Sequence, residues 1–97
     1  MSSFLIVHIT IKNPEKLQTY VSSAGATLAE FGAEILTKGK MIKTLVGKHN
    51  GHSAAVIKFP DQATTDAWYN SANYQALIPN RDEAADMVFI SYDEPSV

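Results

Sequence analysis

The run FLIVHITI, residues Phe4 to Ile11, is rich in β-branched side chains and almost wholly apolar. This pattern predicts a β-strand that is buried on both faces. A second largely apolar run, SAAVIKFP, extends from Ser53 to Pro60. The two runs are therefore the candidates for the central strands of a sheet.

Helix signals follow the first run directly. Asn13 and Pro14 have the residue types preferred at an N-cap and at the first helical position. Apolar side chains then recur at spacings of three and four, which predicts an amphipathic helix. They are Leu17, Tyr20, Val21, Ala24, Leu28 and Phe31. Gly32 follows, and we expect it to end the helix in a left-handed conformation.

The stretch EILTKGKMIKTLVG, from Glu34 to Gly47, is strand-like but carries several lysines. Lysines on a strand commonly protect the edge of a sheet, so we place this strand at an edge. Gly39 in its middle suggests a bulge or turn.

The second half of the chain repeats the alternation of strand and helix. After the run from Ser53, Asp61 is expected to cap a helix through Trp68 and Tyr69, and Ser71 to cap a further segment. DMVFISYD, from Asp86 to Asp93, is the last strand. The order β-α-β-β-α-β predicts one ferredoxin-like α+β domain over residues 1–97, with a four-stranded antiparallel sheet.

Composition excludes several classes of protein. A net charge of −2 argues against a nucleic-acid partner. The chain has no cysteine, which excludes disulfides, thiolate metal sites and thiol nucleophiles. The N-terminal sequence resembles neither a signal peptide nor a membrane span, so we expect a cytoplasmic protein without a membrane partner. No sequence motif for a cofactor is found.

The predicted sheet has more apolar surface than two helices can cover. Phe4 and Ile6 share one face of the first strand, while Leu5 and Val7 lie on the other. An exposed apolar face requires a partner, which predicts a homodimer formed sheet to sheet. The alternative is a monomer in which the C-terminal segment SYDEPSV covers this face.

Three histidines are candidates for chemistry. His8 is on the Phe4 and Ile6 face of the first strand, either hydrogen-bonded at an interface or acting in a pocket between helices and sheet. His49 and His52 are three residues apart in the loop KHNGH, where a solvated loop is the simpler interpretation and a metal site the alternative. The nearby lysines could attract an anion or only protect the edge; they are Lys38, Lys40, Lys43 and Lys48.

The stretch WYNSANYQALIPNR, from Trp68 to Arg81, combines aromatic residues with an arginine and a proline. Pro79 is expected to break the helix and to push Ile78 out of helical geometry, with a new turn starting at Asn80. The break would redirect Arg81 towards Asp86.

Two interpretations of this stretch remain open. Tyr74 and Arg81 are seven residues apart and share one face of a regular helix. In the structural interpretation, Tyr74 packs under the helix and Arg81 ties the helix to the last strand. In the functional one, Arg81 binds an anionic or carbonyl group at the rim of a pocket.

At these residues the sequence resembles the family called domain of unknown function 1330, and the resemblance covers nearly the whole chain. It rests on Tyr20, on FGAE, TKGK and IKFP, and above all on WYNSANYQALIPNR followed by Asp86. The sequence departs from the family pattern at Glu34, Lys38, Lys40 and Asn73. The resemblance implies a place in the dimeric α+β barrel superfamily and no agreed activity.

Three functions follow as hypotheses. The first is a cofactor-independent enzyme acting on a small organic molecule, with His8, Tyr20 or Arg81 as catalytic groups. Substrate-binding side chains would then include Trp68, Tyr74, Lys38 and Asp86. The second is a ligand-binding or regulatory dimer without turnover. The third is haem binding through one of the histidines.

Overall fold

A computed structural model describes residues 2–49 and 51–95 of the chain. Four antiparallel strands form one sheet in the order β2-β3-β1-β4. The strands are β1 (Ser3–Ile11), β2 (Glu34–Lys40), β3 (Ser53–Phe59) and β4 (Ala85–Asp93). The predicted ferredoxin-like α+β order is confirmed, with the two apolar runs at the centre and the lysine-bearing strand at an edge.

The first helix, α1 (Pro14–Glu30), begins and ends at the predicted residues. The Asn13 side chain accepts a hydrogen bond of 3.1 Å from the amide of Lys16. Gly32 has a φ of +67°. This left-handed conformation is unfavourable for a residue that carries a side chain, so glycine is preferred there. Local residue types therefore determined both ends of α1.

Three short helices connect β3 to β4: α2 (Gln62–Tyr69), α3 (Ala72–Gln75) and α4 (Ile78–Ala84). Asp61 and Ser71 cap α2 and α3 as predicted. The prediction that Asn80 starts the last segment is wrong, because α4 begins at Ile78 and contains Pro79 in its first turn. A proline fits there because the first amides of a helix have no intrahelical acceptor.

Strand β2 differs from the prediction in two respects. Its irregularity lies between Ile35 and Thr37, not at Gly39. The strand also ends at Lys40, and residues 41–49 are irregular. The amide of Met41 donates to the carbonyl of His52 (2.8 Å), which closes this loop at its base.

The helices cover one face of the sheet, where the core lies. Buried strand residues pack there against buried helix residues; they are Leu5, Val7, Ile57 and Phe59 against Tyr20, Leu28, Trp68 and Tyr74. On the opposite, open face of the sheet, Val88, Ile90 and Tyr92 are 55%, 39% and 41% exposed. The predicted surplus apolar face is therefore present, and β1 is buried by helices on one face only.

The C-terminal segment does not cover that open face within the described residues. Ser91 to Asp93 belong to β4, and Glu94 forms a salt bridge of 3.4 Å with Lys58. Residues 96 and 97 of this segment lie outside the described residues. Among the helices of the described ranges, none is long and apolar enough to cross a membrane.

Candidate functional site

A cavity of about 320 Å³ lies between α1 and the sheet. Its size falls within the range of small-molecule sites, which are mostly apolar with a few polar groups. Most of its wall is apolar and comes from all four strands, from α1 and from Trp68; it includes Val7, Ile9, Leu17, Leu28, Ile35, Ile57, Met87 and Phe89. Tyr20 and Lys38 are the lining residues with a phenol and an ammonium group.

Tyr20 is the first member of a hydrogen-bonded chain that begins at this cavity. Its hydroxyl oxygen lies 2.7 Å from that of Tyr74, and either hydroxyl can be the donor. Arg81 Nη1 donates to the Tyr74 hydroxyl at 3.2 Å. Tyr74 is fully buried, so the chain connects the cavity to Arg81 through the interior of the protein.

Tyr74 and Arg81 meet because the break between α3 and α4 is mild. Ala76 and Leu77, which lie between the two helices, both keep right-handed helical dihedral angles. Seven residues therefore still make about two turns, and the two side chains point to the same side. Tyr74 and Arg81 therefore keep the shared face expected for a regular helix, and the predicted redirection of Arg81 by the break is wrong.

Burial controls the protonation of the two phenols. It raises the pKa of Tyr20 far above its ordinary value, and the hydrogen bond with Tyr74 raises it further. Burial also raises the pKa of Tyr74, although its hydrogen bonds with Tyr20 and Arg81 partly oppose this. Both phenols are therefore protonated at neutral pH, where they serve as hydrogen-bond donors.

Arg81 is held by several groups besides Tyr74. Its Nε lies 3.2 Å from a carboxylate oxygen of Asp82, and its guanidinium carbon lies 5.5 Å from the centre of the Phe89 ring. Partial burial lowers the pKa of Arg81, but hydrogen bonding to Tyr69 and Tyr74 outweighs this and leaves the pKa raised. Arg81 is thus a fixed positive charge beside the two phenols.

Trp68 lines this cavity and also, with Met87 and Phe89, a second cavity of about 370 Å³, which Arg81 lines. The indole Nε1 donates to Thr27 Oγ1 at 3.0 Å, and Thr27 in turn donates to the carbonyl of Ala24 at 2.7 Å. The Trp68 ring also packs 4.3 Å from the centre of the Tyr74 ring. These contacts hold the indole in place where it lines both cavities.

His8 does not lie in this cavity. It is on the open face of the sheet, opposite Ala54 and Val88, because side chains alternate along a strand and Val7 faces the helices. The interpretation of His8 as a group in the pocket between helices and sheet is therefore wrong. Among the described residues that line the cavity there is no histidine. A haem in this cavity would therefore have no histidine as an axial ligand.

His8 instead forms a hydrogen bond of 3.1 Å between its Nδ1 and Nε2 of His49. The amide of Gly51 donates to His49 Nδ1 at 3.0 Å, so this nitrogen carries no proton. His49 Nε2 must then be the donor to His8. A metal ion bound to Nε2 of His49 would require the other tautomer of this ring, with the proton on Nδ1. That proton would then point at the N–H of Gly51.

His52 has a different partner, because its Nδ1 accepts a hydrogen bond of 3.0 Å from the amide of Ile11. Within residues 2–49 and 51–95, no group of three or more His, Cys, Asp or Glu side chains is placed to hold a metal ion.

Asp86 also lies away from the cavity. It faces the open side of β4 and forms a salt bridge of 3.3 Å with Lys12. The predicted approach of Arg81 to Asp86 is wrong, because Arg81 points inward to Tyr74 and Phe89. Of the candidate site residues, the structure brings together Tyr20, Trp68, Tyr74 and Arg81, with Lys38 at the cavity.

Sequence reasoning missed Thr27 and Phe89. Thr27 lies seven residues after Tyr20 on the buried stripe of α1, where a hydroxyl among apolar residues signals a buried polar contact. Nothing in the sequence marked Phe89 as a site residue, because an aromatic residue in an apolar strand indicates only packing.

A family model described as "Domain of unknown function (DUF1330)" matches residues 2–93. A search of curated protein sequences found no match. A crystal structure of a protein of unknown function from Rhodopseudomonas palustris is similar, with a TM-score of 0.82 and 14% identity, over 99% of this chain and 84% of that chain.

Two further solved structures have the same fold. One is SnoaB, a cofactor-independent oxygenase from Streptomyces nogalater, with a TM-score of 0.72 and 5% identity over 99% of this chain and 95% of that chain. The other is a dimeric ferredoxin-like protein of unknown function from Jannaschia sp. CCS1, with a TM-score of 0.69 and 12% identity over 97% of this chain and 100% of that chain. At these identities the likeness concerns the fold alone.

Proposed function

The chain belongs to the DUF1330 family, and from this premise we propose that it is a cofactor-independent, homodimeric enzyme that acts on a small organic molecule in the cavity between α1 and the sheet. The observation that carries the proposal is the chain from Tyr20 through Tyr74 to Arg81 at an otherwise apolar cavity. A cytoplasmic location is part of the proposal, because a protein without cysteine needs no oxidising compartment.

The arrangement is suited to stabilising negative charge on a ligand oxygen. Tyr20 and Tyr74 carry two hydroxyl protons, and the hydrogen bond between them uses one. Arg81 supplies a further N–H to the Tyr74 oxygen. Among the described residues no other partner of either hydroxyl is found. When Tyr74 donates to Tyr20, the Tyr20 proton is left for a ligand or water, because Tyr20 lines the cavity and the fully buried Tyr74 does not.

Such a donor would act on a carbonyl group. Donors placed in a cavity of low polarity stabilise an oxyanion more strongly than water does, because they need no reorganisation. Arg81 strengthens the phenols as donors, since its positive charge favours negative charge on the Tyr74 oxygen. The chemistry that follows is enolisation, in which solvent removes the proton beside the carbonyl while the phenol hydrogen-bonds to the enolate oxygen.

The fold of SnoaB supports the proposal in a limited way. A ferredoxin-like chain of this size holds cofactor-independent oxygenase chemistry in that protein. Because one fold serves many reactions, this likeness supports the reaction class only as one that the fold accommodates.

A homodimer is supported by two observations. The open face of the sheet exposes apolar side chains of β4, and loop residues Ile42, Leu45 and Val46 are 92%, 83% and 92% exposed. Apolar surface of this kind marks an interface. A protein with the same fold from Jannaschia sp. CCS1 is described as dimeric.

A second candidate function, ligand binding without turnover, is favoured by the lining of the cavity. Tyr20 is protonated at neutral pH, and His8 lies on the opposite face of the sheet. No carboxylate or imidazole is found among the described lining residues, so this chain supplies no strong general base there. Binding needs only the shape of the cavity and the phenol.

The test is deuterium exchange into a ketone. We expect the protein to accelerate exchange of the α-protons of 2-tetralone in D₂O, followed by NMR, and Tyr20→Phe to abolish the acceleration. Tyr92→Phe, at the open face, is the matched control. Binding of 2-tetralone without exchange would favour the non-catalytic alternative, and absence of binding would contradict both functions.

A further inference from the structure

We propose that the ligand of the cavity between α1 and the sheet is an amphipathic monoanion, a small molecule with an apolar body and one carboxylate that binds Lys38. This inference rests on the proposed function and adds the class of ligand to it.

The body of the ligand is specified by the wall of the cavity. The side chains around it are aliphatic or aromatic and come from both layers of the fold; they include Val7, Ile9, Leu17, Ile57 and Phe89. An apolar wall gains free energy roughly in proportion to the apolar ligand surface that it removes from water. A strongly polar molecule such as a sugar would lose its hydration here with few compensating hydrogen bonds.

The charge of the ligand is specified by Lys38. It lies on edge strand β2, opposite Ala55, on the face that the helices cover. Among the described residues that line the cavity, Lys38 is the one with a charged side chain, and no carboxylate accompanies it. Nor does Lys38 form a salt bridge with any residue in the described part of the chain.

A single carboxylate matches these groups better than a phosphate does. One ammonium group balances one negative charge, whereas a second charge would remain uncompensated against an apolar wall. Ser53 also lines the cavity, two positions from the Lys38 partner Ala55 on β3, and offers a hydroxyl donor. Glu34, the acidic residue of β2, lies opposite Lys58 on the other face and does not line the cavity.

The test uses Trp68, the one tryptophan of the chain, which lines the cavity. Its fluorescence is followed during titration with octanoate and with octanol, which share an apolar chain and differ in charge. We expect octanoate to bind more tightly than octanol. Lys38→Gln should weaken the binding of octanoate about two- to fivefold, the range of an exposed ion pair, and leave the binding of octanol unchanged.

Two variants make the result specific. Lys40→Gln removes a neighbouring lysine that, like Lys38, lines a second cavity but does not line the cavity between α1 and the sheet, and it should leave octanoate binding unchanged. Lys38→Arg keeps the charge and should retain preferential binding of octanoate, which separates the charge of Lys38 from its contribution to folding.

Two results would overturn the inference, and only one of them would also contradict the proposed function. Equal affinity for octanoate and octanol, with no effect of Lys38→Gln, would remove the carboxylate and leave the cavity as a site for neutral molecules. Absence of binding by either compound would show that the cavity takes no apolar ligand, and would contradict the proposed function as well.

Discussion

The hydroxyl oxygens of Tyr20 and Tyr74 lie 2.7 Å apart, although the residues are 54 positions apart in the chain and belong to α1 and α3. The bond is buried, and Arg81 approaches it from α4 through a contact of 3.2 Å with Tyr74. One hydrogen-bonded chain therefore joins three helices behind the wall of the cavity, and its removal has consequences for stability as well as for binding.

The two tyrosines contribute unequally to stability. Tyr74→Phe removes the partner of Tyr20 and the acceptor of Arg81 together, whereas Tyr20→Phe leaves Tyr74 bonded to Arg81. We expect urea unfolding to show a loss of about 2–3 kcal/mol for Tyr74→Phe and about 1 kcal/mol for Tyr20→Phe. Tyr92→Phe, at a partly exposed residue, should change little. Equal losses for the two buried tyrosines would contradict the chain as described.

Stability should decrease at alkaline pH because of these phenols. The pKa of each buried tyrosine is raised in the folded protein. In the unfolded chain a tyrosine has a pKa of about 10. The folded state therefore holds these protons more tightly, and its stability is complete below about pH 10 and lost as the pH rises towards the folded pKa values.

The measurement is the urea midpoint at pH 9 and at pH 11 for wild type and Tyr20→Phe. We expect the wild type to lose more stability across this interval, since the variant lacks one of the two raised groups. Between pH 7 and pH 9 the two proteins should respond alike. The same alkaline loss in both proteins would show that Tyr20 is not coupled to folding.

Thr27 should control the environment of Trp68. Thr27→Val keeps the shape of the side chain but leaves the buried indole N–H without its acceptor, which costs about 1–3 kcal/mol. Thr27→Ser keeps the hydroxyl and serves as the control. We expect the indole proton of Trp68 to lose protection from hydrogen exchange in Thr27→Val and to keep it in Thr27→Ser. Equal protection in the two variants would contradict the contact.

A charge on the open face of the sheet should prevent formation of the proposed dimer. Ile6 lies between Val56 and Ile90 on this face, so Ile6→Lys places an ammonium group within the proposed interface. Light scattering after size exclusion should give twice the chain mass of 10.6 kDa for wild type and the single chain mass for the variant. Ile90→Lys tests the same surface from the edge strand, and Ala26→Lys, on the exposed side of α1, should remain dimeric. A monomeric wild type would refute the dimer.

Gly51 should be required for the contact between His8 and His49. A Cβ atom at residue 51 would lie 2.5 Å from Cε1 of His49, so the imidazole must move if alanine is introduced. We expect Gly51→Ala to change the NMR signals of the His8 ring by breaking its bond of 3.1 Å with His49. Gly39→Ala is a suitable control, because no atom lies within 4 Å of the added Cβ. Unchanged His8 signals would show that the ring pair tolerates the methyl group.

Local interactions made much of this fold predictable from sequence. Asn13, Asp61 and Ser71 cap the helices at which they were expected, because each bonds to an amide only three residues away. The ends of β2 and α4 were not predicted correctly. For α4, Pro79 is compatible both with a break before Asn80 and with the first turn of a helix, and the residue types alone do not distinguish the two.

The sequence by itself determined the order of the elements and the two central strands, and it placed Tyr20, Trp68, Tyr74 and Arg81 among a wider set of candidates that also held His8, Lys38 and Asp86. Only the tertiary structure decided which face of the sheet the helices cover. Both faces of β1 are apolar, so alternation placed His8 with Phe4 and Ile6 without showing that this face is the open one. The partner of Arg81 was likewise decided by packing, because residue types alone do not give the angle between α4 and β4.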